Sequence, residues 1–316
     1  MNNDRKNNIN IELILETLIV ILISLFSRLG FGSLAFLIPA VACIFTIRHD
    51  FNKSIIALII GLAAIILIDR FYGLMLLIQI LPISLVFSYM VKLRRSPRDV
   101  IISSTIILFM SLLISLSLLT SGSELDFTKQ FEVFLNNQLE TQVNILENMD
   151  LDSEFIESFK TSQEGVYNYI LQIFPSLLLL YSALIGYINY IISKNILRRI
   201  GLGIREIAPF SKFSVPSNFG IGIASVFVLT LLLRNIDGAI YDVLLVNLTA
   251  ILSLIFVVQG LSVVDFFLKK RNKKRITRVI ILAVIILFIP MLTPITIIGA
   301  IDMIFDVRKI RKPRNS

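Results

Sequence analysis

The sequence predicts an all-α integral membrane protein, a polytopic bundle of about eight to ten transmembrane helices. The mean hydropathy is +0.84, with 56% hydrophobic and 16% charged residues, whereas charged residues approach a quarter of a soluble chain. Apolar runs long enough to cross a hydrocarbon core of about 30 Å recur along the chain. Polar and apolar residues do not alternate over successive segments, which excludes a membrane barrel of strands.

The apolar runs follow one another with short polar turns or charged loops between them. They cover residues 11–26, 34–47, 55–68, 71–91, 100–119, 166–192, 219–233, 240–268 and 279–304. The last run contains Pro290 and Pro294, which remove backbone donors and break the helical hydrogen-bond pattern. It forms either one span or a hairpin of two short helices. We predict the hairpin, because it returns the basic C-terminal tail to the side of the other basic loops.

Basic residues indicate the orientation. The N-terminal tail, the loops at 48–53, 92–98, 194–212 and 269–278, and the C-terminal tail hold 25 of the 30 Lys and Arg residues. Cytoplasmic loops of membrane proteins carry such an excess, so both termini are predicted to be cytoplasmic, in a bacterial cytoplasmic membrane. The same rule explains the net charge of +8, and no nucleic-acid partner is inferred from it.

The acidic stretch 121–166 divides the chain and is predicted to lie outside the cell. It holds ten of the 22 acidic residues. We predict three regions: 1–120, a membrane bundle of five helices; 121–166, an acidic helical arm; and 167–316, a second membrane bundle with basic loops. Apolar residues recur at helical spacing over 127–149, a shorter helix is expected at 155–159, and Thr161 to Glu164 resemble a capping box that begins the next span. The arm is either a solvated loop, a lid or a partner-binding element.

The basic segment 193–216 interleaves apolar residues with arginines, as in Ile196, Leu197, Arg198 and Arg199. This pattern predicts an interfacial helix held by apolar burial and by attraction to anionic lipid headgroups. The alternative is a docking site for a cytoplasmic partner, and a homo-oligomer is also compatible with the sequence.

The sequence contains few of the side chains that enzymes use for catalysis. The sequence has one histidine, His49, and one cysteine, Cys43, and it lacks a phosphate-binding loop of the GxxxxGK type. We therefore predict no metal site, no cofactor and no enzymatic activity. A lipid-modifying enzyme would need acids, amides and a metal clustered at one interface, and the spacing indicates no such cluster.

Polar side chains inside the apolar runs are the candidate functional residues, because each is costly in lipid unless it is paired. The candidate solute-binding amides are Gln79, Asn189, Asn247 and Gln259. The alternative for each amide is a hydrogen bond to a neighbouring helix. Asp302, Asp306 and Arg308 are predicted to form ion pairs at the cytoplasmic interface. No acidic residue is assigned to the centre of the bilayer.

Three phrases carry a resemblance to a known family: PFSKFSVP at 209–216, VVQGLSVVDFFL at 257–268 and GAIDMIFDVR at 299–308. In this order, after a basic ILRRIG, they resemble the YybS-type family of bacterial polytopic membrane proteins, a domain of unknown function. Phe213 departs from the tryptophan expected before SVP. The resemblance implies an uncharacterised protein of the cytoplasmic membrane and assigns no catalytic residue.

Residues 36–68 also resemble the paired helices of substrate-capturing subunits of energy-coupling-factor vitamin transporters. Together with the buried amides and the prolines, this favours a transporter-like or solute-binding membrane component, which should contain a polar-lined cavity. ATP-driven work would require another subunit, since the chain has no ATP-binding motif. The alternative is a non-transporting scaffold or regulator that acts through the acidic arm or the basic cytoplasmic segments.

Overall fold

The computed structural model describes residues 2–120, 127–149, 151–216, 219–234 and 238–310. The described part of the chain is 86% helical and contains no strand. The predicted all-α polytopic membrane bundle is therefore confirmed. Outside the described residues lie 121–126 and 150 of the predicted arm and 311–316 of the basic tail.

Eleven α-helices are present in these ranges. They are α1 (Asn2–Arg28), α2 (Ile38–Arg48), α3 (Phe51–Ile68), α4 (Arg70–Lys92), α5 (Pro97–Thr120), α6 (Phe127–Glu147), α7 (Ser153–Arg199), α8 (Phe219–Leu233), α9 (Gly238–Lys270), α10 (Arg275–Leu287) and α11 (Leu292–Phe305). Three short 3₁₀ segments accompany them, at Gly32–Leu37, Phe210–Lys212 and Ile289–Met291.

Eight to ten transmembrane helices were predicted, but fewer helices have the length and hydropathy of a full span. Five in the described part do so, namely α3, α4, α5, α7 and α9, and the bent pair α10 and α11 raises the number to six. The second predicted run changes from a 3₁₀ segment to α2 after Leu37, and α8 has 15 residues. These two apolar segments are thus shorter than the roughly 20 residues that a straight crossing requires.

The last part of the predicted arm and the next span form one continuous helix. α7 has 47 residues, which at 1.5 Å per residue is about 70 Å, more than twice the thickness of a hydrocarbon core. The predicted short helix at 155–159 and the capping box at Thr161 are therefore wrong. Residues 153–165 contain no proline, so the helical hydrogen bonds continue and leave no free N–H group for a Thr161 cap. The predicted helix over 127–149 is present as α6.

The predicted interfacial helix in the basic segment is also wrong. α7 ends at Arg199 because Gly201 adopts φ +78°, and the chain from Leu202 to Pro209 has no helix. The amide of Leu202 donates to the carbonyl of Leu197 at 2.8 Å and that of Gly201 to the carbonyl of Arg198 at 3.2 Å, a Schellman termination. The chain then returns to the core of the first unit, where Ile204 packs against the buried cluster that contains Phe87 and Tyr190.

Contacts divide the chain into two compact units. The first comprises Met1–Leu171 and Leu177–Ile207, and the second comprises Gln172–Ser176 and Ala208–Ser316. This division differs from the three predicted regions, because the arm and most of α7 group with the first five helices. The core of the first unit takes buried residues from α1, α3, α4, α5 and α7: Val20, Leu58, Ile80, Leu108 and Ile185.

The second unit is built around α9, against which α8, α10 and α11 pack. Its apolar core contains Leu261 of α9, Ile285 of α10 and Ile295 of α11. The predicted break in the last apolar run is present at Pro290, where α10 and α11 meet at a bend of 100°. Two short helices thus replace a single straight span.

Candidate functional site

Asn189 of α7 bridges the junction between the 3₁₀ segment and α2. Its Nδ2 donates to the carbonyl of Phe36 at 2.7 Å, and its Oδ1 accepts the backbone N–H of Ala40 at 2.8 Å. In an unbroken helix those two backbone groups would bond to each other, but Pro39 lies between them. The carboxamide is fully buried and completes the opened turn.

Asn247 of α9 does the same within the second unit. Its Nδ2 donates to the carbonyl of Gln172 at 2.7 Å, and its Oδ1 accepts the N–H of Ser176 at 3.0 Å. Here Pro175 is the residue between the two separated groups. The Ser176 hydroxyl adds a further bond, at 2.6 Å from Oδ1.

The two arrangements match atom for atom. In each, the proline is the third residue after the carbonyl, and the asparagine also donates to the carbonyl four residues before itself, Ile185 or Val243. We call each arrangement an asparagine clasp: Phe36, Pro39, Ala40 and Asn189 in the first unit, and Gln172, Pro175, Ser176 and Asn247 in the second. Both asparagines, which were predicted to bind solute, make hydrogen bonds that join helices in this structure.

Gln259 belongs to a second kind of site, which is formed where the three segments 209–216, 257–268 and 299–308 meet. Its Oε1 accepts the N–H of Val215 at 2.8 Å, and its Nε2 donates to Oδ2 of Asp302 at 2.8 Å. Gln259 is 0% exposed and Asp302 is 1% exposed, so both polar groups depend on these bonds.

Arg308 is the hub of this network. Its guanidinium contacts Asp302, with Nη2 at 2.7 Å from Oδ2. Nη1 donates to the carbonyl of Ser211 at 3.1 Å and to the hydroxyl of Ser262 at 2.7 Å, and Nη2 also donates to the carbonyl of Phe213 at 2.8 Å. The predicted pairing of Asp302 with Arg308 is present, and both side chains are buried. Asp306 ends α11 in a left-handed conformation and accepts the N–H of Ile310 at 3.2 Å.

Two glycines allow the helices that carry this network to approach closely. A Cβ atom on Gly299 of α11 would lie 1.9 Å from the carbonyl oxygen of Phe256, and one on Gly260 of α9 would lie 2.0 Å from that of Ile295. No side chain fits at either position. The crossing of α9 and α11 brings Gln259 and Asp302 within hydrogen-bond distance.

The fourth predicted amide differs from the other three. Gln79 is half-buried on α4, three residues before Pro82, and its side chain makes no hydrogen bond to any described residue. Of the four predicted amides, it is the one without a side-chain hydrogen bond in the described part of the chain.

The sequence reasoning missed Glu16. This side chain is 0% exposed, and its Oε2 has no hydrogen-bond partner among the described residues. Its position six residues into the apolar run 11–26 was the available signal. Among the described residues there is no group of three or more His, Cys, Asp or Glu side chains placed to hold a metal ion.

Two grooves complete the description. One of about 440 Å³ lies on the second unit, where mostly apolar residues of α9 and α11 line it, with Arg271 and Asp302 at its polar positions. The other, of about 750 Å³, lies between α6 and the first turns of α7 in the arm. Its wall includes Glu147, Glu157, Glu164 and Lys160.

Comparison with known proteins agrees with the fold and the resemblance. The family described as "Predicted membrane protein (DUF2232)" matches residues 14–303. The chain is 23% identical over 279 residues to "Uncharacterized protein YybS" of Bacillus subtilis (strain 168), a match that covers 87% of this chain and 88% of that protein. No solved structure matches. Because the family match extends over residues 14–303, which is most of the chain, the chain belongs to the DUF2232 family of predicted membrane proteins.

Proposed function

We propose that this protein binds a small solute and moves it across the bacterial cytoplasmic membrane. The observation that supports the proposal is the pair of asparagine clasps, one in each unit. Proline-interrupted helices in two parts of a membrane protein are a feature of secondary transporters, in which the interrupted turns surround the substrate.

The chemistry of a clasp suits exchange with a solute. Each opened turn presents one backbone carbonyl and one N–H group, and the asparagine satisfies both with a single carboxamide. A solute that carries an amide, or a carboxylate beside an amine, offers the same donor and acceptor. Such groups can be left unbonded at membrane depth only at a high cost, so a turn of this kind would alternate between the asparagine and a polar solute.

The proposed orientation places both termini in the cytoplasm. It is supported by the 25 of 30 basic residues that fall on that side. In this orientation the acidic arm is external and the Arg308 network lies near the inner surface, where buried charge pairs are less costly than at the bilayer centre.

A thermal-shift screen of the detergent-solubilised protein tests solute binding. The panel contains vitamins, nucleobases, amino acids and lipid precursors. A ligand at about 100 times its dissociation constant stabilises the fold by about 2.7 kcal/mol, a shift that a melting curve resolves. We expect Pro175→Ala, which lets the turn 172–176 close with its own hydrogen bond, to reduce the shift produced by a specific ligand, and Gln138→Leu, on the exposed face of α6, to retain it. A cooperative melt that no compound shifts would contradict the proposal.

The alternative is a scaffold that acts through its arm. The groove between α6 and α7 carries three carboxylates and one ammonium group, and α6 exposes about half of Phe134 and Ile145. These features suit a basic, amphipathic partner segment. Crosslinking in intact membranes that recovers a partner on the arm, lost when Glu147, Glu157 and Glu164 are changed to Gln, would favour this alternative.

A further inference from the structure

Glu16 is a carboxyl group buried inside the first apolar run. It lies five residues after Ile11, about 7 Å along the helix axis, and none of its side chain is exposed. Within the described residues no Lys, Arg or His side chain forms an ion pair with it. An ionised carboxylate without a cation is expensive in such surroundings, and acids at membrane depth mark proton or ion pathways.

The donors and acceptors around Ser54 favour the protonated form of Glu16. The Ser54 hydroxyl lies 2.5 Å from Oε1 of Glu16 and 3.0 Å from the carbonyl oxygen of Ala42. A hydroxyl has one proton to donate, and the Ala42 carbonyl can only accept. When Glu16 is protonated it donates to Ser54, and Ser54 donates to Ala42. When Glu16 is ionised, two acceptors compete for the single proton of Ser54.

The helices packed against α1 supply no counter-charge at this depth. α3 approaches through the small residues Ser54, Ala57 and Gly61, and a Cβ on Gly61 would lie 2.9 Å from Val20. The 3₁₀ segment Gly32–Leu37 has no ionisable side chain. α2, α3 and their connection contain five titratable or charged groups: Cys43, Arg48, His49, Asp50 and Lys53. Cys43 is a buried thiol and Lys53 is exposed, while Asp50 pairs with Lys92 at 3.1 Å.

The connection between α2 and α3 links Glu16 to the surface. Glu12 lies one turn before Glu16 on the same face of α1, and it is partly exposed. Arg48 Nη2 donates to Oε1 of Glu12 at 2.7 Å, and His49 contacts Oε2. The segment 48–54 therefore contacts both carboxyl groups: Arg48 and His49 bind Glu12, and Ser54 binds Glu16.

We propose that Glu16 is a proton-binding site and that Glu12 with His49 is its connection to the solution. One proton moves from the Glu12 carboxyl group to the Glu16 carboxylate, so the O–H bond at Glu12 breaks as the one at Glu16 forms. His49 then gives its proton to Glu12 and takes one from the solution. The role of the bound proton, coupling to solute movement, rests on the proposed function, whereas proton binding itself does not.

Labelling with dicyclohexylcarbodiimide tests the site, since this apolar reagent reacts with protonated carboxyl groups in membranes. The full-length protein in liposomes is labelled over a range of pH, and adducts are located by peptide mass spectrometry. We expect an adduct on Glu16 whose formation slows as the pH rises, loss of this adduct in Glu16→Gln, and its retention in the matched variant Glu12→Gln. An unlabelled Glu16 in the wild type, or labelling independent of pH, overturns proton binding without reference to any variant.

Hydrogen–deuterium exchange tests the connection. The infrared carbonyl band of the protonated carboxyl, assigned by its loss in Glu16→Gln, shifts when the liposomes are transferred to D₂O. Glu12→Gln and His49→Gln should retain the band and slow its shift. A shift as fast as that of the wild type in both variants overturns the assigned route. These readouts need no solute, so a failed transport assay beside a positive labelling result would contradict the proposed function alone.

Discussion

Asn247 accepts the backbone N–H of Ser176 at 3.0 Å, and through this contact α9 completes a turn of α7 that Pro175 leaves open. The same carboxamide donates to the carbonyl of Gln172 at 2.7 Å. A side chain from another helix thus replaces a backbone hydrogen bond. Asn189 provides the same replacement for Phe36 and Ala40 in the first unit.

Truncation of a clasp should destabilise the fold. Asn247→Ala leaves the buried N–H of Ser176 and the partly buried carbonyl of Gln172 without the carboxamide, at a cost of about 1–3 kcal/mol. Asn189→Ala should have a similar effect, while Asn137→Ala on the exposed surface of α6 should change the melting temperature little. The melting temperature in detergent is the measurement.

Removing the proline should reverse part of the destabilisation caused by Asn247→Ala. In the double variant Pro175→Ala and Asn247→Ala, the turn 172–176 can close with its own hydrogen bond, because no proline ring separates its ends. We expect the double variant to melt above Asn247→Ala alone. Equal or additive destabilisation would show that the asparagine stabilises α7 by some means other than the opened turn.

The buried ion pair should be far more sensitive than a surface pair. Arg308→Met leaves the Asp302 carboxylate buried without its cation, and we expect a loss of about 3–5 kcal/mol. The control is Arg28→Met, which breaks the pair with Asp69 at 2.9 Å, where Arg28 is 50% exposed; we expect this loss to be small, because solvent screens an exposed pair. Comparable losses for the two variants would contradict the central role of Arg308.

The crossing of α9 and α11 should not tolerate a methyl group. Gly299→Ala places a Cβ 1.9 Å from the carbonyl oxygen of Phe256, so the helices must separate. Overpacking of this kind costs about 1–3 kcal/mol. Gly222→Ala on α8 is the matched control, because no atom lies within 4 Å of its Cβ position. Both are read out by thermal melts.

Acid should weaken the start of α4. Asp69 accepts the N–H of Tyr72 at 3.1 Å and a bond from Arg28 Nε at 3.0 Å, and these partners hold the pKa of Asp69 below its usual value. A lowered folded-state pKa contributes stability that is present above the unfolded value, about 3.9, and is lost as the pH falls towards the folded value. The difference in melting temperature between wild type and Asp69→Ala should therefore narrow as the pH falls below about 4. A constant difference would contradict this assignment.

Hydropathy predicted most helices, because a run of apolar residues largely determines a membrane helix. The bounds of α8 match its predicted run, 219–233. The end of α7 did not follow from the sequence, since Gly201 had to be recognised as a left-handed residue that terminates a helix rather than as part of an interfacial one.

The residues of the candidate site could be predicted from the sequence, but the contacts between them could not. Asn189, Asn247 and Gln259 could be located at membrane depth from sequence, but Asn189 bonds to Ala40, 149 residues away, and Asn247 to Ser176, 71 residues away. No local pattern connects such partners. Glu16 was overlooked because only its burial distinguishes it from Glu12, the partly exposed carboxylate one turn earlier in the same apolar run.

Solute-dependent current in proteoliposomes on a solid-supported membrane tests the proposed function most directly. The full-length protein is exposed to rapid jumps of each solute class in the panel, beside empty liposomes and Glu16→Gln. We predict a transient current for one class in the wild type, its absence from empty liposomes, and its loss or marked reduction in Glu16→Gln. If the folded wild-type protein binds a panel compound in the thermal-shift screen and that compound produces no current and no uptake of the radiolabelled form, the protein does not transport it. That result would contradict the account.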